Sequence, residues 1–190
     1  MKMKTILKNT AILLAITLVA GIALSFVYEL TKEPIARVEQ QKKIAAYQAV
    51  YTEAASFGDV EEISAVLKDY NATLTAGTAV EEVFSADAAD GTRLGYVLAV
   101  TAKGYGGDVK IALGIDKSGK VVGYSVLSHS ETPGFGANME NGDVAAQFIG
   151  ITDADQLDGI TGATYTTNAL RAETQAAIAL VKQLEGGNGQ

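Results

Sequence analysis

The run Asp158-Gly159-Ile160-Thr161-Gly162-Ala163-Thr164-Tyr165-Thr166-Thr167 places four threonines and two glycines in ten residues, in a chain that has one histidine and no cysteine. An amphipathic pattern follows it directly, so the hydroxyls fall at a helix start. There, unpaired N–H groups and the helix dipole suit a phosphate group, with glycine letting the backbone come close. The same residues also serve a purely structural end, because threonine hydroxyls satisfy the orphan N–H groups of a first helical turn. The run is not a P-loop, since it lacks the lysine of that motif.

A second cluster, Glu131-Thr132-Pro133-Gly134-Phe135-Gly136, lies just past His129. Proline fixes φ and glycine reaches angles other residues avoid, so a rigid turn is expected. Phe135, an aromatic between glycines, is of a type that stacks on a flat ligand. His129 has no nucleophile framework around it and reads as a hydrogen-bonded residue at a strand end. Asp153, Asp155 and Asp158 lack the alternating spacing and closing glutamate of an EF-hand loop, so no metal site is expected.

Composition narrows the chemistry further. With Cys 0, disulfides, thiolate metal sites and a cysteine nucleophile are excluded. The net charge is -7, and residues 1–28 hold Lys2, Lys4 and Lys8 without an acid, which leaves 12 basic against 22 acidic side chains, or -10, on the rest. Such a domain repels nucleic-acid backbones and anionic lipid faces.

Several elements must hold these residues in place. Asn9 to Tyr28 is a stretch of 20 residues without a charge. As a helix it spans about 30 Å, the thickness of a bilayer core. A retained anchor is favoured over a cleaved signal, because the apolar run exceeds the ~7–15 residues of a signal core, although Ala23-Leu24-Ser25 resembles a cleavage site. The short basic N-terminus points to a cytoplasmic start with the acidic domain on the outer face. After the anchor, Pro34 is placed to open a helical stripe to about Ala55, and a further helix is expected over Asp59–Tyr70.

Strands are expected at Val80–Ser85, Leu94–Ala102, Val109–Ile115 and Val121–Ser128, joined by hairpin-length turns into an antiparallel meander. Residues 129–142 read as a loop, Asp143–Ile149 as a short helix, and the residues up to Thr166 as a polar loop. In the last helix Leu170, Ala177, Val181 and Leu184 share one face, with Thr166 or Thr167 as N-cap. The expected class is α+β behind a membrane anchor. The boundaries read 1–28 for the anchor, 29–70 for a helical stalk and connection, 71–186 for the α+β domain and 187–190 for a flexible tail.

The anchor, ETPGFG and DGITGATYTT together resemble the G subunit of the Rnf electron-transport complex, and more broadly the FMN-binding domain shared with the C subunit of sodium-pumping NADH:quinone reductase. The most specific likeness is the pattern Asp-x-x-[Ser/Thr]-Gly-Ala-Thr, met by Asp158, Thr161, Gly162, Ala163 and Thr164. The resemblance implies an FMN esterified to Thr164 through a phosphodiester, installed by a separate flavin transferase that reads Asp158. It implies that Thr161 and the glycines shape the loop, that Thr166 and Thr167 cap the helix, and that Glu131, Thr132, Pro133, Gly134 and Gly136 form the flavin pocket. Phe135 stands where leucine is more usual, and Thr161 replaces a common serine.

The function implied is a membrane-anchored subunit that relays electrons among the subunits of an ion-translocating ferredoxin:NAD oxidoreductase, with no substrate of its own. Two other readings remain beside it. One keeps the flavin but places the chain in the quinone reductase or makes it a standalone extracellular carrier. The other is a tethered, non-redox binding domain in which TGAT is only a helix cap.

Overall fold

The computed structural model describes residues 2–60 and 63–187. The chain divides into two units, Met1–Lys42 and Lys43–Gln190. In the first, the helix α1 (Lys2–Val50) contains the stretch Ile6–Lys32, which is long and apolar enough to cross a membrane. Its aliphatic side chains, such as Leu13, Val19 and Ile22, are exposed, as they must be if lipid is their solvent. The helical assignment continues past Pro34, where a separate helix was expected.

The second unit is built on one antiparallel sheet, with strands in chain order: β1 (Ser56–Asp59), β2 (Ala79–Asp87), β3 (Arg93–Lys103), β4 (Asp108–Asp116) and β5 (Val121–Ser128). The four expected strands are present within two residues of their expected ends. Strand β1 was not foreseen. Its sequence SFGD has one large apolar residue in four positions, too short a run for an alternating pattern to register, and it pairs only at the edge, Phe57 opposite Ala86. The helical stripe expected to reach Ala55 ends at Val50, and the helix expected over Asp59–Tyr70 is α2 (Ile63–Thr73). So the segment 29–70, expected as stalk and connection, supplies an edge strand and part of the packing to the sheet.

Period-two alternation sorts the sheet residues onto two covered faces. Leu98 pairs with Leu113 and Val100 with Ile111, and all four are fully buried against Leu170, Ala177, Ile178 and Val181 of the last helix, α4 (Thr164–Gly187). Tyr70 of α2 joins this layer by donating its hydroxyl hydrogen to the Ala176 carbonyl at 2.7 Å. The opposite face carries small residues, Ala99, Ala112, Gly114 and Gly123, and receives Tyr47 and Val50 from the end of α1 and Tyr51 just past it. A Cβ at Gly123 would lie 1.9 Å from the Val50 carbonyl oxygen, and one at Gly114 2.2 Å from it. That helix end rests on bare backbone, which fixes both glycines.

Between β5 and α4 the chain forms a 3-10 turn η1 (Gly136–Glu140), helix α3 (Gly142–Phe148) and a second 3-10 turn η2 (Ala154–Gln156). Asp153 opens η2 by accepting the Asp155 amide hydrogen at 2.9 Å. The expected flexible tail lies outside the described residues from 188 onward, while Gly187 ends α4.

Candidate functional site

The two sequence clusters meet at the first turn of α4. Each is a tight turn with glycine at its corner. In Thr132-Pro133-Gly134-Phe135 the Phe135 amide donates to the Thr132 carbonyl at 3.1 Å, and Gly134 takes φ 80°. In Ile160-Thr161-Gly162-Ala163 the Ala163 amide donates to the Ile160 carbonyl at 3.0 Å, and Gly162 takes φ 77°. Positive φ at the third turn position is the reason for glycine in both. The Phe135 ring lies over Gly162, where an added Cβ would sit 3.0 Å from its Cδ1.

Glu131 ties the parts together. Its side chain is buried; Oε1 accepts the amide hydrogens of Tyr105 at 2.9 Å and Gly106 at 2.8 Å, in the β3–β4 loop. Oε2 accepts the hydroxyl hydrogen of fully buried Thr166 on α4 at 2.5 Å. One carboxyl group thereby fixes a hairpin loop, its own turn and a helix terminus. A Cβ at Gly136 would fall 2.3 Å from Glu131 Oε2 and 2.5 Å from Thr166 Oγ1, so only glycine leaves room for that bond. His129, one residue past β5, accepts the Glu131 amide hydrogen on Nδ1 at 3.0 Å, while its Nε2 lies 3.1 Å from Glu140. An accepting Nδ1 puts the ring proton on Nε2 in the neutral imidazole.

Between the two clusters lies an open cavity of about 460 Å³, lined by Tyr105, Glu131, Thr132, Phe135, Gly136, Gly162, Ala163, Thr164, Tyr165 and Thr166. It falls within the ~300–1,000 Å³ of small-molecule sites. Of the residues singled out in the sequence, Glu131, Thr132, Phe135, Gly136, Gly162, Ala163, Thr164 and Thr166 line it. Pro133 and Gly134 shape the adjacent turn, whereas Asp158, Thr161 and Thr167 stand outside the lining. Sequence reasoning passed over Tyr105, Tyr165 and the contact from Thr166 to Glu131. A glycine-flanked tyrosine in Lys103-Gly104-Tyr105-Gly106-Gly107 was the available signal, but it read as an ordinary hairpin turn.

The capping expectation needs correction. Helix α4 starts at Thr164, upstream of both proposed caps. Thr166 spends its hydroxyl on Glu131. Thr167 accepts the Ile160 amide hydrogen and donates to the Ala163 carbonyl, both at 3.0 Å, which locks the preceding turn onto the helix. A helix with these hydroxyls turned away leaves its first amides open. The first intrahelical bond is Thr167 N–H to Ala163 C=O at 2.9 Å, and among the described residues the amides of Thr164, Tyr165 and Thr166 have no partner. The Thr164 hydroxyl is likewise unbonded among them, and the residue is exposed. Three open amides and an open hydroxyl at the positive end of a 24-residue helix are groups of the kind that suit a phosphoryl group.

Comparison with known proteins agrees in both halves of the chain. Residues 104–179, which include every cavity residue, match the FMN-binding domain family, so the site sits in an FMN-binding domain. Residues 1–50 match the RnfG N-terminal region. Both matches agree with the resemblance to the G subunit of Rnf-type complexes carried by the sequence motifs. The chain is 28% identical over 197 residues to the G subunit of the ion-translocating oxidoreductase complex of Aliivibrio fischeri, covering 93% of this chain and 90% of that one. A shorter match of 105 residues, 30% identical, covers 50% of this chain and 57% of the G subunit of the proton-translocating ferredoxin:NAD(+) oxidoreductase complex of Clostridium ljungdahlii. Among solved structures, the C subunit of the Na(+)-translocating NADH-quinone reductase from Parabacteroides distasonis superposes with a TM-score of 0.48 at 16% identity, over 81% of this chain and 96% of that one.

Proposed function

We propose that the chain is a membrane-anchored electron-relay subunit that bears FMN as a phosphodiester on Thr164, within an Rnf-type complex that couples ferredoxin oxidation and NAD reduction to movement of sodium ions or protons. The observation that carries this reading is the open Thr164 hydroxyl beside three open amides in a domain of the FMN-binding family. Those amides suit the phosphate oxygens, and the cavity beside them suits a flat ring. FMN supplies one- and two-electron transfer when bound, whereas the protein supplies position and surroundings.

A threonine hydroxyl is a weak nucleophile unless a base activates it, and no such base bonds to Thr164 among the described residues. An external flavin transferase is therefore part of the proposal. Asp158 is exposed, and its carboxylate makes no bond to the described residues of the domain, as suits a residue that the transferase reads. A covalent tether keeps the flavin at high effective concentration beside its partners. The basic N-terminus supports a cytoplasmic start, so in this reading the apolar helix Ile6–Lys32 is the anchor and the acidic domain lies on the outer face of the cell membrane, where an untethered flavin would diffuse away.

The complex is tested by purifying the tagged full-length chain from its own membranes in mild detergent. Co-purification of the other subunits of a ferredoxin:NAD oxidoreductase is expected; a quinone-reductase set, or the chain alone, would reject this assignment in favour of the quinone reductase or a standalone carrier.

A further inference from the structure

Resting on the FMN reading above, we infer that Tyr105 and Tyr165 form the aromatic wall against which the isoalloxazine ring is held, making them positioning residues for the flavin. The chain has eight tyrosines and no tryptophan. Tyr47, Tyr51, Tyr70 and Tyr96 are buried; Tyr124 is partly buried and stacks on Phe148; Tyr28 belongs to the apolar helix. That leaves Tyr105, 73% exposed, and Tyr165, 68% exposed, as the exposed tyrosines of the domain. Both line the same cavity, and their rings lie 6.1 Å apart between centroids, tilted by 46°.

Rings this exposed and this close leave apolar faces in water that a flat ligand would cover. They come from separate places, a β-hairpin loop and a helix first turn, and Glu131 brings those places together through the Tyr105 amide and the Thr166 hydroxyl. Tyr165 follows the attachment residue directly, and Tyr105 stands across from it. A ring tethered through phosphate and ribityl chain to Thr164 therefore has this pair within reach. Phe135, half exposed, lies over Gly162 and extends the same wall.

Tyrosine against a flavin quenches its fluorescence: the excited ring takes an electron from the phenol and returns it, with no net oxidation. The test uses the full-length chain, co-expressed with a flavin transferase and confirmed by intact mass to carry one FMN. Emission per flavin and its anisotropy are measured for wild type, Tyr165→Leu, Tyr105→Leu and Tyr165→Trp, each folded and unfolded. The expected result is strong quenching in folded wild type that unfolding releases. Each leucine variant should show a severalfold rise in folded emission and a fall in anisotropy, with Tyr165→Trp quenched again. Flavin attached at full mass yield but equally bright and mobile in wild type and both leucine variants would overturn the inference and leave the FMN reading intact. Absence of the FMN mass from wild type would overturn both. Since both side chains are exposed, melting temperatures of the variants should match wild type.

Discussion

Replacing Thr166 by valine keeps the shape of the side chain and removes only the hydroxyl that bonds Glu131 Oε2 at 2.5 Å. Both residues are buried, at 0% and 6% exposure, so the lost donor leaves a poorly solvated carboxyl oxygen. Glu131 Oε1 keeps its two backbone donors, which limits the damage to one oxygen. A hydrogen bond to a carboxylate contributes about 1.5–3 kcal/mol net, and an unpaired buried acceptor adds to the loss. Taking about 2 kcal/mol, and roughly 2–4 °C of melting temperature per kcal/mol for a unit of this size, the expected drop is roughly 4–8 °C. Thr166→Ser keeps the hydroxyl and should lose less than half as much. Thermal unfolding followed by circular dichroism measures both. The reasoning is refuted if the valine variant melts at or above the serine variant, for then the bond from Thr166 does not hold the helix start to Glu131.

Other outcomes follow from the same geometry. Glu173 on α4 is fully buried, and among the described residues no group completes a hydrogen bond to either oxygen, so burial pushes its carboxyl well above the usual range, with the nearby Ala102 backbone countering only part of the effect. The fold then holds the proton where the unfolded chain, ionising near about 4.3, would release it. Stability should fall as pH rises from there through the raised folded value, by at most ~1.4 kcal/mol per pH unit. Glu173→Gln should remove that slope, and melting curves of the two proteins that stay parallel across this window would contradict it. Gly123→Ala drives a Cβ onto the Val50 carbonyl and should cost about 3 kcal/mol, seen in chemical denaturation, whereas exposed Gly142→Ala, with nothing near its added carbon, should cost far less.

The strands and α4 were legible because their signals are local: alternating apolar residues, turn dipeptides and the 3.6-residue stripe of Leu170, Ala177 and Val181. Strand β1 was not, since an edge strand of four residues owes its conformation to its partner β2. The end of α1 against Gly114 and Gly123 was equally hidden, because the partner that requires those glycines, the Val50 carbonyl, is distant in sequence. In the site, the turn residues Pro133, Gly134 and Gly162 declared themselves through backbone angles that few residues adopt. Thr166 and Thr167 looked like caps because threonine near a helix start usually is one. A long-range partner, Glu131, took one hydroxyl, and the preceding turn took the other. The amides they left open are what the phosphoryl group would use.

The central claim is that Thr164 carries the flavin, and it is tested most directly by the intact mass of the denatured full-length protein after co-expression with an active flavin transferase. Removing the Thr164 hydroxyl should leave stability within about 0.5 kcal/mol, because it bonds to nothing among the described residues. Wild type is predicted to gain the mass of one FMN less one water, and Thr164→Ala, equally stable, to gain none. An unmodified wild type, with the transferase active on another substrate, would contradict the account, as would the same added mass on both proteins.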